Sequence, residues 1–295
     1  MDQLTVGMIA PAYLFFPVWV AQERGFFAAE GIEAGTVFHG ATDKVTTALR
    51  DGETQIGMVT PEGVIADAAL GGPLRLIAGN ANRAPLSLIV QKGIASIGDL
   101  RGKRIGTSSL KEGTAVMVQT ILAAHGLRYP GDYEFSIVGA HPQRWEHLKA
   151  GTIDAGLQLL PLNYVAQDAG FLNLAETRDY VPHYAFTAVA VESGWGGANR
   201  GLVVRYLKAL KAATVWADAH RKEAAAILGR VTSSGPDFAL RGLNEMLDGG
   251  ATPLDLEIEP RALETVFEAM RTTELVPPGT IMTYDKLVDR SYLDG

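Results

Sequence analysis

The chain has 295 residues, of which 47% are hydrophobic and 20% are charged, and its formal net charge is −7. This length allows one large domain or two of ordinary size, and the composition excludes a disordered chain. The chain contains no cysteine, which excludes disulfides, thiolate metal sites and a cysteine nucleophile within it. A mildly acidic chain is also a poor candidate for binding nucleic acid or an anionic membrane.

No apolar stretch predicts a membrane span. The most apolar stretch, residues 10–21, contains two prolines and is much shorter than the roughly 20 residues that a spanning helix needs. The N-terminus shows no basic segment ahead of an apolar one, since Asp2 stands there, so no secretory leader is predicted. We therefore expect a cytoplasmic protein, or a periplasmic or otherwise extracytoplasmic one whose leader has been removed.

Strand and helix patterns alternate from the N-terminus. Apolar runs bounded by turn residues indicate buried strands, and apolar residues recurring every three or four positions indicate helices. In chain order we predict a strand at 4–9, a helix at 17–24, a strand at 33–38, a helix at 42–50, a strand at 55–59, a helix at 64–70 and a strand at 74–78. This succession predicts a mostly parallel sheet covered by helices on both faces.

The middle of the chain repeats the alternation. Strands are predicted at 86–90, 104–108, 134–138, 156–160 and 184–191, and helices at 114–125 and 142–149. Residues 49–57 (LRDGETQIG) and 148–156 (LKAGTIDAG) echo each other, because each joins a helix end to a strand across a glycine. A short match of this kind can also arise by chance. With the similar elements on each side, it indicates two lobes of similar α/β design.

Two predicted strands connect these lobes. Residues 86–90 lead out of the first lobe, and residues 184–191 return to it. We therefore predict a discontinuous lobe I of residues 1–87 and 189–295, and an inserted lobe II of residues 88–188. Helices predicted at 201–219 and 260–272 carry apolar residues on one face and would pack on lobe I.

Two segments carry a resemblance to a known family. Residues 17–32 (PVWVAQERGFFAAEGI) and 97–106 (IGDLRGKRIG) resemble the nitrate/sulfonate/taurine group of substrate-binding proteins of ABC transporters. With residues 48–57 and 148–156, the resemblance covers about residues 4–220. It implies an α/β, two-lobed, periplasmic-binding-protein type II-like fold, each lobe a mostly parallel sheet flanked by helices, with a ligand cleft between the lobes. It also implies a small-molecule ligand and a membrane permease as partners, and we expect a monomer.

Ligands bind such sheets at the carboxyl ends of strands and at helix N-termini, so the loops there supply candidate residues. The loop after the first strand crowds Tyr13, Phe15 and Phe16 together. So short a loop is not expected to bury all three rings in the core, and at least one should line the cleft. An aromatic ring there would favour a planar or apolar ligand.

The loops after the next two strands supply polar candidates. Gly40 and Thr42 would place backbone amides and a hydroxyl at a helix N-terminus, which suits an anion or carbonyl; a plain N-cap is the alternative. Thr60 ends the third strand. Beside it, Glu62 pairs with a cationic ligand group or simply favours the N-terminus of the following helix.

Lobe II contains a hydroxyl-rich turn at residues 106–114 (GTSSLKEGT), which runs from a strand into a helix. Its hydroxyls and helix-start amides suit the oxygens of a carboxylate or sulfonate, and it lacks the order of a P-loop. By the resemblance, Ser108, Ser109 and Thr114 match the stretch that contacts ligand in the family. An ordinary capped turn is the alternative.

Further candidates in lobe II follow the next two strands. Arg144 could clamp an anion through two hydrogen bonds, and Trp145 could stack on a ligand; a solvated surface is the alternative for Arg144. Residues 160–164 are predicted as a loop that presents Tyr164 to the cleft. His183 lies just before the return strand, near the expected hinge.

Hydroxymethylpyrimidine synthases of thiamine biosynthesis also resemble this chain in overall pattern. That resemblance implies a lysine and a histidine four residues apart at the end of the third strand, and a cysteine-rich motif. Here that strand leads into MVTPEG at 58–63, and cysteine is absent, which also removes the nucleophile of desulfinases with this fold. The sequence shows neither metal-binding histidine spacing nor a G-x-S-x-G elbow. We therefore expect a binding protein with no catalytic residue, metal or cofactor.

The expected function is that of a solute receptor of an ABC-type uptake system that closes on a small organic acid. The aromatic candidates combined with the hydroxyl-rich turn favour an aromatic carboxylate or sulfonate. Taurine-like aliphatic sulfonates and an uncharged pyrimidine are the other ligands considered. The alternative function is an enzyme on the same fold, a pyrimidine-synthase-like, decarboxylase or desulfinase-like protein acting on a small aromatic substrate.

Overall fold

The computed structural model describes residues 1–110 and 113–294. Lys111 and Glu112, which belong to the predicted hydroxyl-rich turn, lie outside the described residues. The chain forms two compact units. Unit 1 comprises Met1–Arg83, His183–Phe267 and Val276–Gly295, and unit 2 comprises Ala84–Pro182 and Glu268–Leu275.

The elements of the described residues alternate as the sequence predicts. The strands are β1 (Asp2–Met8), β2 (Ile32–Phe38), β3 (Ile56–Val59), β4 (Leu74–Ala81), β5 (Leu86–Val90), β6 (Arg104–Thr107), β7 (Glu134–Ile137), β8 (Ala155–Leu159), β9 (Leu172–Glu176) and β10 (Thr187–Glu192). The helices are α1 (Phe16–Glu23), α2 (Phe26–Ala29), α3 (Thr42–Arg50), α4 (Pro61–Ala69), α5 (Gly113–Ala124), α6 (His141–Lys149), α7 (Leu162–Asp168), α8 (Thr177–Tyr180), α9 (Ser193–Ala198), α10 (Arg200–Ala219), α11 (Arg221–Val231), α12 (Pro236–Asp248), α13 (Pro260–Thr272) and α14 (Tyr284–Leu287).

Unit 1 is built on a five-stranded sheet in the order β2-β1-β3-β10-β4. β1 pairs in parallel with β2 and β3, whereas β10 runs antiparallel to β3 and β4. Every residue of the central strand β3 is buried, as expected for a strand covered on both faces. Because β10 is the single antiparallel strand, the carboxyl ends of the other four lie at the same edge of the sheet.

Unit 2 is built on a second five-stranded sheet in the order β7-β6-β8-β5-β9. β6 pairs in parallel with β7 and β8, whereas β5 runs antiparallel to β8 and β9. The two echoing segments lead into β3 and β8, the third strand of each sheet. The expectation of two α/β bodies with mostly parallel sheets is thereby confirmed.

The structure corrects some predicted elements. Within the predicted loop at 160–164, residues 162–164 are instead the start of α7, which begins immediately after Pro161 and is only seven residues long. So short a helix spans about two turns and leaves little helical periodicity to detect. β9, with the sequence LNLAE, was not predicted, because it lies at the edge of its sheet and is only partly buried. The return strand β10 begins at Thr187 rather than at residue 184.

None of the helices described here is both long enough and apolar enough to cross a lipid bilayer.

Candidate functional site

The turn after β1 packs its three aromatic rings inside the protein. Tyr13, Phe15 and Phe16 are 1%, 3% and 0% exposed, so the expectation that so short a loop could not bury all three is wrong. The loop buries all three rings because residues Tyr13–Phe15 form a 3-10 turn that leads directly into α1. The Tyr13 hydroxyl donates to Ser234 Oγ, and burial raises the pKa of that phenol.

A buried asparagine fixes this turn to the sheet. Asn80 of β4 donates from Nδ2 to the carbonyl of Leu14, at 2.9 Å, and to Thr187 Oγ1 of β10, at 2.8 Å. The side chain is fully buried, so these hydrogen bonds replace the water it has lost. Asn80 thus ties the aromatic turn to two strands of unit 1, and no motif in the sequence indicated this residue.

The loop after β2 is held by the sheet instead of presenting free amides. The N–H groups of His39 and Gly40 donate to the carbonyls of Met8 and Ile9, both at 2.9 Å. Gly40 has a φ of +79°, a conformation that glycine adopts without strain. Its amide therefore donates to the residue that directly follows β1, which contradicts the predicted anion contact through Gly40.

The N-cap of α3 is Ala41, not Thr42, which is the first helical residue. A Thr42 hydroxyl at this position does not cap the helix, so the predicted plain N-cap is wrong as well. The methyl group of Thr42 faces α4, where it would lie 3.5 Å from a Cβ added to Gly63. The amides of the first turn of α3 remain as donors at the carboxyl edge of the unit 1 sheet.

The end of β3 places a carboxylate beside a tyrosine. Thr60 is the N-cap of α4, and Glu62 lies in the first turn of that helix. Glu62 Oε1 accepts a hydrogen bond of 2.8 Å from the hydroxyl of Tyr184. His183 is turned toward another carboxylate, since its Nδ1 lies 2.6 Å from Glu259 Oε1. The predicted role of His183 in ligand binding stays a prediction.

In unit 2, the hydroxyl-rich turn follows β6 as predicted. Thr107 Oγ1 donates to the carbonyl of Ser109, at 3.3 Å, which folds the turn back on itself. Thr114, in the first turn of α5, has its Oγ1 enclosed by protein with no hydrogen bond to any residue that the structure describes. Ser108 and Ser109 therefore follow the end of β6, and Thr114 lies at the N-terminus of α5, where helix amides favour an anion.

Two facing glycines let Arg144 lie flat across the unit 2 sheet. Gly106 of β6 and Gly156 of β8 are partners in the parallel pairing. A Cβ added to Gly156 would lie 2.7 Å from Arg144 Cδ, and one added to Gly106 would lie 3.2 Å from Arg144 Cγ. A Cβ contact of 2.7 Å is shorter than real structures show, so the Arg144 stem fits against β8 because residue 156 is glycine, whereas a Cβ at Gly106 would first meet Ile153 Cδ1, at 2.5 Å. We call this pair, Gly106 and Gly156, the glycine slot.

The guanidinium of Arg144 lies beside β8 and beside the residues that follow β6 and β7. Its Nη1 donates to the carbonyl of Leu157 in β8, at 2.6 Å, while its Nη2 lies 3.4 Å from the carbonyl of Gly139, after β7. Nη2 also lies 3.5 Å from Ser108 Oγ, after β6. Arg144 is 1% exposed. It is thus neither a solvated surface residue nor an open two-pronged clamp, which corrects both predictions.

His141 lies beside this cation and stays neutral. Its Nδ1 is 3.2 Å from the Leu157 carbonyl and 3.4 Å from Arg144 Nη1. Burial, together with the charge of Arg144, lowers the pKa of His141 to about 3, against the opposing hydrogen bond to Leu157. The local charge of this part of unit 2 therefore comes from Arg144 over the neutral pH range. The sequence analysis missed His141, although its position at the start of α6 could have indicated it.

Trp145 belongs to the hydrophobic core of unit 2. It packs with Leu148 and Ile153, and its ring meets Phe171 edge-on at 5.1 Å between centroids. Its exposure is 6%. The prediction that Trp145 stacks on a ligand is therefore contradicted, because α6 turns consecutive residues to different surroundings, with Arg144 against the glycine slot and Trp145 in the core.

Tyr164 lies in the first turn of α7 instead of a loop and is 7% exposed. Its backbone N–H donates to Asn163 Oδ1, at 2.9 Å. The structure leaves the predicted ligand contact of Tyr164 as a prediction.

An exposed aromatic residue that the sequence analysis did not select ends β2. Phe38 is 45% exposed, and its ring centroid lies 6.2 Å from that of Trp19. Large apolar side chains are usually buried, so a phenylalanine at the end of a strand pattern gives no sign in the sequence that it faces solvent. Phe38 offers an apolar surface at the carboxyl edge of the unit 1 sheet.

The described residues contain no cluster of histidine, aspartate or glutamate arranged to hold a metal ion.

The fold of each unit, and the position of the polar turns at the carboxyl edges, define the periplasmic-binding-protein type II-like class. Solved structures agree. The alkanesulfonate-binding protein SsuA from Xanthomonas axonopodis, bound to MOPS, has a TM-score of 0.77 at 18% identity and covers 99% of each chain. The nitrate-binding protein NrtA from Synechocystis PCC 6803 has a TM-score of 0.77 at 13% identity, covering 100% of this chain and 85% of its own.

The sequence itself gives the family. Residues 13–224 match the family described as NMT1/THI5 like, and the chain belongs to that family. A 4-amino-5-hydroxymethyl-2-methylpyrimidine phosphate synthase from Uromyces fabae is 28% identical over 146 residues, 48% of this chain and 41% of the relative. The riboflavin-binding protein RibY from Chloroflexus aurantiacus is 29% identical over 111 residues, 36% of this chain and 32% of the relative. The matches thus span less than half of these curated relatives.

Proposed function

We propose that the chain is the solute-binding protein of an ABC-type import system and that it binds a small organic acid, with an aromatic carboxylate or sulfonate favoured. One observation carries the proposal of an acid. The buried guanidinium of Arg144 lies 3.5 Å from Ser108 Oγ, in the hydroxyl-rich segment that follows β6, and such hydroxyl and guanidinium groups suit the oxygens of an acid.

The similar proteins support an oxyanion as the bound group. SsuA is named for binding alkanesulfonates, and NrtA is named for binding nitrate. Both ligands present several oxygens that share one negative charge. Hydroxyls, helix amides and a nearby guanidinium are the donors that stabilise such a group.

The apolar part of the ligand is proposed to be aromatic. Phe38 is exposed beside Trp19, and an exposed ring of this size favours an aromatic partner. The riboflavin-binding protein RibY is named for a heteroaromatic ligand, which supports an aromatic body in the ligand of this chain.

The proposed mechanism is closure of the two units on the ligand, followed by docking on a membrane permease. Contacts from both units would stabilise the closed form, so the ligand would shift the population toward it. An extracytoplasmic location follows from this proposal, since import receptors of this class meet their permease outside the cytoplasm.

A thermal-shift experiment tests the ligand class. Benzenesulfonate, benzoate, taurine, nitrate and 4-amino-5-hydroxymethyl-2-methylpyrimidine are added separately to the full chain. At a concentration of about 100 times its Kd, a ligand stabilises the folded state by about 2.7 kcal/mol and raises Tm by several degrees. We expect the largest rise with benzenesulfonate or benzoate and none with benzenesulfonamide, the uncharged control. A rise with the pyrimidine alone would contradict the proposed acid.

The second candidate function is an enzyme of the pyrimidine-synthase type, which the similarity to the Uromyces fabae synthase favours. It is tested by incubating the chain with each compound that raises Tm and following the compound by mass spectrometry. Unchanged compound after many hours supports the receptor. A new product that requires the chain supports the enzyme.

A further inference from the structure

We propose that unit 1 contains a buried binding site for one water molecule, formed by the side chains of His39 and Thr54 above Gly7 of β1. The water would join the end of β2 to the segment that leads into β3. The inference goes beyond the proposed function, because the site lies within unit 1 and does not depend on the identity of the ligand.

Two enclosed polar atoms face the same point above the sheet. His39 Nε2 and Thr54 Oγ1 would lie 3.2 Å and 3.0 Å from a Cβ added to Gly7. Both atoms are enclosed by protein, and neither has a hydrogen-bond partner among the residues that the structure describes. Thr54 is 2% exposed. Because an enclosed polar group without a partner is destabilising, both atoms are expected to share a partner at this point.

Unit 2 has apolar side chains at the equivalent positions. Counted from the paired glycines of each sheet, the equivalents of Gly7, His39 and Thr54 are Gly106, Val138 and Ile153. The N–H groups of His39 and Val138 donate to equivalent carbonyls, both at 2.9 Å. In unit 2 the atoms nearest to the added Cβ are methyl carbons of Ile153 and Val138, at 2.5 Å and 3.1 Å. Unit 1 thus places a hydroxyl and a ring nitrogen where unit 2 places carbon atoms.

Water is the molecule whose chemistry fits both atoms of unit 1. A threonine hydroxyl both donates and accepts, whereas an imidazole nitrogen does one or the other according to its tautomer. Water can complement either tautomer. Buried waters typically bind two to four polar groups that the fold would otherwise leave unpaired. Two polar atoms within 3.2 Å of one point are close enough for one water to reach both.

The water would hold the ring of His39 from inside the unit. The ring is partly exposed, and the His39 N–H donates to the carbonyl of Met8. Backbone and ring would then both be fixed at the start of the loop that joins β2 to α3. Thr54 would act through the water as a positioning residue for this loop, at the carboxyl edge of the unit 1 sheet.

The experiment is a double-mutant cycle on the thermal stability of the full-length chain, together with a high-resolution crystal structure of the wild type. The variants are Thr54→Val, which keeps the shape and removes the hydroxyl, His39→Leu, and the double variant. Thr252→Val is the matched control, alone and combined with His39→Leu. Thr252 is 4% exposed, and its Oγ1 is likewise enclosed without a partner among the described residues, but it is not near Gly7.

We expect Thr54→Val to lower Tm by several degrees, because it leaves the water and His39 Nε2 with fewer partners. In the His39→Leu background the same change should lower Tm little, since no enclosed polar atom is then left unpaired, so the losses are less than additive. Thr252→Val should change Tm equally in both backgrounds. The crystal structure should show one water within hydrogen-bond distance of both His39 Nε2 and Thr54 Oγ1.

A Thr54→Val variant more stable than the wild type would contradict the inference, because removing an unpaired enclosed hydroxyl relieves its cost. Strictly additive losses in the double variant would contradict it too, as would a direct hydrogen bond between the two side chains in the crystal structure. If His39→Leu does not fold, the stability of Thr54→Val and the wild-type crystal structure still decide the question.

Discussion

At the residue scale, glycine residues in both units allow neighbouring segments to pack closer than a Cβ atom would permit. In unit 1, Gly79 of β4 lies under the segment that precedes α13, where an added Cβ would be 2.4 Å from the carbonyl oxygen of Glu257. That segment is fixed in place, because the N–H of Gly79 donates to the carbonyl of Leu256 at 2.6 Å. In unit 2, the glycine slot likewise leaves room for the aliphatic part of the Arg144 side chain.

Replacing Gly79 by alanine should therefore destabilise unit 1. The backbone of Glu257 cannot rotate away as a side chain could, so we expect a loss of about 1–3 kcal/mol in the free energy of unfolding. Urea denaturation measures it, with Gly197→Ala as the control, since no atom lies within 4 Å of a Cβ at Gly197. A Gly79→Ala variant as stable as Gly197→Ala would contradict the close approach.

His141 gives the fold a pH dependence at the same scale. Its pKa is about 3 in the folded chain, against 6.5 as the ordinary value, so the unfolded chain binds a proton between these values and the folded chain does not. Stability from this residue is present above pH 6.5 and is lost as the pH falls toward 3. Each unit of pKa difference is worth about 1.4 kcal/mol, so the total is a few kcal/mol.

The variant His141→Asn removes this titration and keeps a polar side chain. We expect the free energy of unfolding of the wild type to fall more steeply between pH 6.5 and pH 4 than that of the variant, with the two slopes equal above pH 7, about where free histidine is neutral. Urea denaturation at several pH values gives the slopes. Parallel slopes at acidic pH would show that His141 is solvated in the folded chain.

At the element scale, neighbouring residues of α6 have different surroundings. Arg144 enters the glycine slot, while Trp145 and Leu148 join the core of unit 2. The sequence predicted the helix itself, to within one residue, from its apolar spacing and its proline. It did not predict which of its residues face the sheet, because a short helix with few apolar residues fits more than one rotation about its axis.

The variant Trp145→Ala should therefore have a lower free energy of unfolding than the wild type. Truncating a buried tryptophan costs about 3–5 kcal/mol, and we expect a loss of that size in urea denaturation. Glu146→Ala on the exposed side of the same helix is the control and should change little. Benzenesulfonate affinity at a temperature where the variant is still folded should stay within about threefold of the wild type, a change of under 1 kcal/mol; a larger loss would restore Trp145 as a ligand contact.

At the scale of the whole molecule, the two sheets have the same strand arrangement. Each has four strands in one direction and a single antiparallel strand next to one edge. The antiparallel strands are β10 in unit 1 and β5 in unit 2, and each begins a few residues after the chain enters its unit. From the sequence alone, the echo between residues 49–57 and 148–156 predicted two lobes of similar α/β design. The family match over residues 13–224 includes both third strands.

The proposed closure is tested at this scale by small-angle X-ray scattering. We expect the radius of gyration to fall when benzenesulfonate is added to saturation and to stay constant with benzenesulfonamide. The Arg144→Met variant at the same benzenesulfonate concentration should remain closer to the ligand-free value, because its affinity is lower. An unchanged radius at a concentration where calorimetry shows saturation would contradict closure.

The sequence by itself determined the order of strands and helices, the repeated α/β plan, the absence of cysteine chemistry and the resemblance to a family of receptors. These depend on residues near one another in the chain. Only the tertiary structure decided which candidates belong to the core and which to the site. Arg144 and Trp145 are adjacent in sequence, yet Gly106 and Gly156, from strands far apart in the chain, admit the arginine stem, while Phe171 packs against the tryptophan. Their roles follow from strand pairing across the sheet, which no local pattern contains.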